Sequence, residues 1–135
     1  VEPGTPQGFS NIREARKKAI QQGFQILAPC PHQLACPMEQ TRAWCHVRTR
    51  FERPQFQRTM KEATLNYEDE PFCYLIVHRG SSSAAPRLVD HPQKRKGHVH
   101  LSLCQPDGTL KKIVVSKKEK DRYSRAKELA WGDLL

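Results

Sequence analysis

Ala28-Pro29-Cys30-Pro31-His32-Gln33-Leu34-Ala35-Cys36-Pro37-Met38-Glu39-Gln40-Thr41-Arg42-Ala43-Trp44-Cys45 is the stretch on which the reading of this chain turns. Prolines at positions 29, 31 and 37 punctuate it, and each disfavours helix in the residue before it. The segment is therefore expected to be irregular. A loop this long without a core of its own needs something to hold it. It carries three cysteines: Cys30, Cys36 and Cys45.

A fourth cysteine shares that context from far along the chain. His98 to Val115 reads as a hairpin, with Val99, Leu101 and Leu103 on one face and His98, His100, Ser102 and Cys104 on the other. Gln105-Pro106-Asp107-Gly108 supplies its turn, with Pro second and Gly fourth, so Cys104 sits at the hairpin tip. Tips and Pro-rich loops both present sulfur, with neighbouring backbone N–H groups, to an ion or a cluster. Cys73 is different. It lies inside the apolar run Phe72-Cys73-Tyr74-Leu75-Ile76-Val77 and reads as a small hydrophobe outside the site.

Three chemistries compete for the other four. Disulfides suit an oxidising compartment, which a basic, nucleic-acid-leaning chain does not suggest. Structural zinc needs only four thiolates, but its knuckles are usually tight, and Cys30-x5-Cys36-x8-Cys45 is loose. His32 and His46 are available to replace one sulfur in such a site. An iron–sulfur cluster is a larger body that widely spaced ligands can wrap, and Cys-Pro pairs such as Cys30-Pro31 and Cys36-Pro37 occur beside some clusters. Spacing alone leaves zinc and cluster level.

The remaining composition bounds the function. The chain has 135 residues, the size of one modest domain. Hydrophobic residues make up 37%, below the ~45–50% of typical globular domains (a figure that counts Gly), so a rich enzyme-type core is not expected. No apolar run approaches the roughly 20 residues that span a bilayer, and no membrane partner is expected. Lys and Arg total 23 against 14 Asp and Glu, a formal charge of +9 that implies a polyanion, most simply RNA or DNA. Aromatic residues are scattered, so phosphate contact is expected rather than a base-stacking platform. Lys94, Arg95 and Lys96, followed by Gly97, form either a phosphate clamp or a solvated turn. No Ser/His/Asp set, paired-carboxylate arrangement or Walker loop is apparent. His98 and His100 read as polar-face residues rather than ligands.

Local patterns complete the outline. Val1-Glu2 reads as a strand end breaking into a turn at Pro3-Gly4-Thr5-Pro6, as though the chain begins mid-fold. A helix is expected from Ser10, its cap, to Gln22, with Ile12, Ala15, Ala19 and Ile20 as its apolar stripe and Gly23 as its left-handed stop. Phe24 to Leu27 reads as a short strand, Pro54 as the start of a short helix, and Asn66 to Glu70 as a solvated acidic loop. Phe72 to Val77, apolar on both faces, reads as the central strand of a covered sheet. Ser81 to Pro86 reads as a loop. A last helix, capped by Asp121 and ended by Gly132, is expected to turn Tyr123, Ala126, Ala130 and Trp131 inward.

Taken together, several motifs resemble the methyltransferase-like proteins of the mitochondrial small ribosomal subunit. They begin with Val1-Glu2-Pro3-Gly4-Thr5-Pro6-Gln7-Gly8-Phe9 and Ile12-Arg13-Glu14-Ala15-Arg16. Ala28-Pro29-Cys30-Pro31-His32, Cys36-Pro37 and Trp44-Cys45-His46 follow, then Glu52-Arg53-Pro54, Tyr67-Glu68-Asp69-Glu70 and Tyr74-Leu75-Ile76-Val77. The series ends with Lys94-Arg95-Lys96-Gly97-His98-Val99, Leu103-Cys104, Pro106-Asp107-Gly108 and Trp131-Gly132-Asp133-Leu134.

The resemblance implies an α/β protein, the carboxyl-terminal part of a class I methyltransferase-like fold with a four-cysteine metal loop and a β-hairpin. Its expected segments are a methyltransferase-like strand and helix over 1–27, a Cys-rich insertion over 28–62, and a carboxyl-terminal sheet, hairpin and final helix over 63–135. It implies Cys30, Cys36, Cys45 and Cys104 as ligands of a four-iron, four-sulfur (4Fe-4S) cluster, with zinc (Zn) as the alternative. It also implies a mitochondrial matrix protein that binds small-subunit rRNA among small-subunit ribosomal proteins, as component or assembly factor. In such folds the first strand and its Gly-rich turn hold S-adenosylmethionine. Gly4-Thr5-Pro6-Gln7-Gly8 is not that loop, so S-adenosylmethionine and catalysis are not expected on this chain. The alternative is a fragment of an S-adenosylmethionine-dependent rRNA methyltransferase.

Overall fold

The computed structural model describes residues 1–81 and 85–135. The architecture is mixed α/β, and every described strand pair is antiparallel. Strand β1 (Glu2–Pro3) leads into helix α1 (Pro6–Gln21), which is followed by β2 (Gln25–Ala28). A 3₁₀ turn (Pro37–Gln40), strand β3 (Val47–Glu52) and helix α2 (Gln55–Met60) come next. Then come β4 (Tyr67–Cys73), β5 (Ile76–His78), β6 (Arg87–Leu88), β7 (Gln93–Arg95), β8 (His98–Cys104), β9 (Leu110–Ser116) and α3 (Lys120–Glu128).

The strands form three sheets. One has the order β1-β4-β3, taking a strand from each of the segments 1–27, 28–62 and 63–135. A second pairs β2 with β5. In the third, β8 carries β9 along one edge, while β6 and β7 share the other. Alternation in β8 aims Val99, Leu101 and Leu103 inward, each no more than 1% exposed. They meet Leu88, Val115 and Ala126, with Ile113, Tyr123, Leu129 and Leu135 packed around them. This is the protein's main apolar core.

The hairpin is found as expected, with Gly108 at φ +79° and its N–H donating to the Gln105 carbonyl at 3.0 Å. Gly23 ends α1 with φ +81°. Other expectations are corrected. Helix α1 starts at Pro6 rather than after Ser10, because Thr5 caps it, its hydroxyl accepting from the Gly8 N–H at 3.1 Å, and Pro6 fits the first turn. The buried face of the longer helix carries Phe9 and Arg16, and Ala15 is exposed.

The run Phe72–Val77 is not one strand. It breaks at Tyr74-Leu75 between β4 and β5, which lie in different sheets, and Ile76 is exposed. Residues 67–70 are not a loop but the first half of β4. Glu68 and Asp69 are held there by Arg53 and Arg50, with Arg50 directly opposite Asp69 in the β3–β4 ladder. Strand β3 itself, Val47-Arg48-Thr49-Arg50-Phe51-Glu52, alternates Val, Thr and Phe with charged residues, a period-two pattern inside a stretch expected only to be basic. The last helix is introduced by Ser116 and Glu119, which form a reciprocal capping box ahead of it, rather than by Asp121. It ends at Glu128, leaving Ala130 exposed and Trp131 beyond the helix. The loop expected over 81–86 falls partly on residues 82–84, outside the described residues.

Candidate metal centre

Helix α1, the Pro-rich loop, the β4–β5 break and the hairpin tip converge on one cavity of about 40 Å³ with an overwhelmingly apolar wall. A space of this size exceeds that of a single water. Phe9, Ile12, Arg13 and Arg16 of α1 reach it at helical spacing. Cys30, Cys36 and Cys45 come from the loop and Cys104 from the end of β8. All five cysteines are free thiols. The four expected ligands therefore share one wall, though Cys104 is remote in sequence. Cys73, expected outside the site, also reaches this wall, but its thiol donates to the Cys45 carbonyl at 3.3 Å. Among the described residues, no three His, Cys, Asp or Glu side chains are grouped closely enough for a single metal ion.

The sulfurs interact electrostatically across the cavity. Burial pushes the Cys45 thiol up, and negative charge on Cys30, Cys36 and Cys104 would raise it further. Cys104 is pushed up to about 12, by burial first and then by Cys30 and Cys36. Cys30 is raised by burial, partly offset by the nearby Arg16 cation. In an apolar wall these thiols stay neutral unless a metal takes the place of their protons.

Arg16 lies outside the apolar stripe expected for this helix, yet it faces the cavity. It is only 7% exposed. Its guanidinium donates to the carbonyls of His32 at 2.9 Å and Leu34 at 2.8 Å, fastening the Pro-rich loop to α1. It forms no salt bridge among the described residues, and its Nε is buried without a partner. A buried cation without an acid calls for a nearby anion, and among the described residues the cavity wall carries no carboxylate, its acidic groups being the thiols and the Tyr74 phenol, which burial raises. The donor set thus fits an anionic metal–thiolate centre. The signal was legible: starting α1 at Pro6 puts Arg16 on the same face as Phe9 and Ile12.

His32 is buried beside Arg16, with Nε2 at 3.4 Å from the Cys104 sulfur and Nδ1 lacking a partner among the described residues. Burial and the Arg16 charge lower its pKa, keeping the ring neutral. His46 lines the cavity but directs Nδ1 to the Trp44 carbonyl at 3.1 Å. The Trp44 indole N–H donates to the Gly4 carbonyl at 2.9 Å, and Arg13 pairs with Glu39, so the loop is pinned within its 3₁₀ turn and again beyond it.

Lys94, Arg95 and Lys96 do not reach this cavity. They are exposed on edge strand β7 and its two-residue turn, where Gly97 has φ +78°, and form no ion pair among the described residues. His98 and His100 are likewise exposed.

Comparison with known proteins adds a second line. The family model described as mitochondrial small ribosomal subunit Rsm22 matches residues 1–135. The chain is 33% identical to the human protein named ribosome assembly protein METTL17, mitochondrial, over all of this chain and 31% of that protein. It is 26% identical to the Rsm22-cox11 tandem protein 1, mitochondrial, of Schizosaccharomyces pombe, over 99% of this chain and 24% of that one. It is 24% identical to the Saccharomyces cerevisiae ribosome assembly protein RSM22, mitochondrial, over 82% of this chain and 28% of that one. The chain thus spans 24–31% of the length of these relatives.

Proposed function

The chain belongs to the mitochondrial small ribosomal subunit Rsm22 family, and from that membership we propose that it is a mitochondrial matrix, rRNA-binding module acting in assembly of the small ribosomal subunit, stapled by a four-cysteine iron–sulfur cluster. The names of its relatives support the assembly role. Its mixed α/β architecture is read as a segment of a class I methyltransferase-like fold. The role assigned to these residues is binding and shape rather than catalysis.

One observation carries the metal reading: four cysteines from two distant stretches share a cavity wall with a buried arginine that has no acid. Ligands drawn from a loosely spaced loop and a distant hairpin suit the larger cluster better than a tight zinc knuckle. Cys30, Cys36, Cys45 and Cys104 would hold it, and when bound it supplies a rigid cross-link between loop and hairpin. Arg16 balances its charge and holds the loop backbone, and His32 Nε2 faces the Cys104 sulfur. The exposed cations Lys94, Arg95 and Lys96 would meet rRNA phosphates.

Anaerobic purification and metal analysis test this reading. The wild-type protein is expected to be brown and to carry about four iron and four sulfide per chain. Cys104→Ser is expected to lose the metal, and Cys73→Ser to keep it. A colourless zinc protein overturns the cluster, and metal loss in Cys73→Ser with retention in Cys104→Ser overturns the ligand set.

A further inference from the structure

Beside the metal cavity, and sharing Met38, His46, Val89 and Leu110 with it, lies a second cleft of about 350 Å³. Its volume is in the range of sites that take small organic groups. Both tryptophans of the chain meet histidines here. The His46 ring stacks on Trp44 at 5.4 Å between centroids, tilted by 24°, and meets Trp131 edge-on at 4.5 Å. His91 meets the other ring edge of this group, 4.9 Å from Trp131. Trp131 is held in place by the chain that follows it. The Gly132 N–H donates to the Leu88 carbonyl at 3.1 Å, and Arg87 donates to the Gly132 carbonyl at 2.7 Å.

The lining carries more positive than negative charge. Lys111 and Lys112 of β9 line the cleft, are exposed, and form no ion pair among the described residues, while the one carboxylate of the lining, Asp90, accepts from the His91 N–H at 2.7 Å. Ser102, opposite Lys112 in the ladder, adds a hydroxyl. An aromatic floor with two free cations at its rim combines the two elements that single-stranded nucleic acid needs: a π surface for a base and positive charge for its phosphates. A protein of net charge +9 strengthens the second element.

We propose that the cleft between Trp44, His46 and Trp131 on one side and Lys111 and Lys112 on the other is a binding site for an unstacked RNA nucleotide. The base stacks on the Trp131–His46 group, and the lysines hold the flanking phosphates. This deepens the RNA-binding reading above and rests on it. It departs from the expectation of phosphate contact alone. The site is separate from Lys94, Arg95 and Lys96, which have only phosphate to recognise.

The test uses the complete protein, purified anaerobically, and a single-stranded RNA oligonucleotide containing 2-aminopurine, with the matching duplex as control. Wild-type protein is expected to bind the single strand more tightly than the duplex and to quench the 2-aminopurine emission. Trp131→Ala is expected to weaken single-strand binding about tenfold and abolish the quenching, while Trp131→Phe, which keeps a ring, stays within about threefold of wild type. The double variant Lys111→Ala, Lys112→Ala is expected to bring the slope of log affinity against log salt about one to two units nearer zero. If Trp131→Ala binds as wild type does, or if Trp131→Ala and Trp131→Phe lose affinity alike, the nucleotide site is wrong. An acidic peptide that displaces the RNA at equal concentration overturns it too. A wild-type protein that binds no RNA overturns the RNA reading itself, and this inference with it.

Discussion

Two halves of this molecule are held together by different means. Around β8, side chains fill the interior: Val99, Leu101, Leu103 and Val115 are at most 1% exposed and pack on Leu88 and Ala126. Around the Pro-rich loop, the centre is a cavity walled by cysteines, and the loop is tied by polar threads from Arg16, Trp44 and Arg13. The first region stands on apolar burial, and the second on polar ties around a cysteine-walled cavity that we propose holds a metal centre. Cys104 belongs to both, because it ends the best-packed strand and faces the cavity. A chain with little apolar content thus keeps one compact core, and the Pro-rich loop folds against the end of it.

That contrast can be broken from either side. The largest effect is expected from Leu101→Ala. A buried leucine truncated in a tight core costs about 2–5 kcal/mol, and thermal melts should show the protein destabilised by that amount with or without metal. Arg16→Gln strikes the other half. Losing charged hydrogen bonds to two loop carbonyls is expected to cost about 1.5–3 kcal/mol, and the loss should be larger in the metal-loaded protein than in the stripped one. Equal losses would mean that Arg16 serves only the loop backbone. Gly8→Ala tests the joint between α1 and β1. A Cβ there overlaps the Pro3 carbonyl oxygen, and overpacking of this kind costs about 1–3 kcal/mol. An unchanged thermal midpoint would show that α1 docks more loosely than described.

The smallest effect concerns the β3–β4 ladder, which neither core nor metal supports directly. Hydrogen bonds from Arg53 and then Lys61 hold the Glu68 carboxyl down at about 2. Its folded-state value lies below its unfolded one, so the stabilisation is complete above the ordinary carboxylate range and is lost as pH falls towards 2. Carbon-detected NMR titration should find that midpoint, and Glu68→Gln should flatten the acid limb of the stability profile in that window.

What could be read from the sequence follows the range of the interactions involved. The β8–β9 hairpin was legible because alternation, turn chemistry and pairing all lie within one short stretch. The Thr5-Pro6 start of α1 was also written locally, but it competed with a Pro/Gly turn reading and lost, which hid Arg16. Strand β4 was illegible at its acidic end because Glu68 and Asp69 become strand residues only once Arg53 and Arg50 face them from β3. The run from Phe72 to Val77 misled because continuous apolarity does not say where a chain changes sheets. In the candidate site, the three loop cysteines declared themselves by context. The approach of Cys104, and the meeting of Trp44, His46 and Trp131, depend on how β8 and the last residues fold back.

The central claim is that the loop over 28–46 takes its order from a bound centre while the hairpin does not. Hydrogen exchange measured by mass spectrometry on the anaerobic protein, before and after its metal is stripped, asks this directly. The account predicts that amides of 28–46 lose protection on stripping while those of β8 and β9 keep theirs. Loop protection that survives the loss of metal unchanged would contradict it.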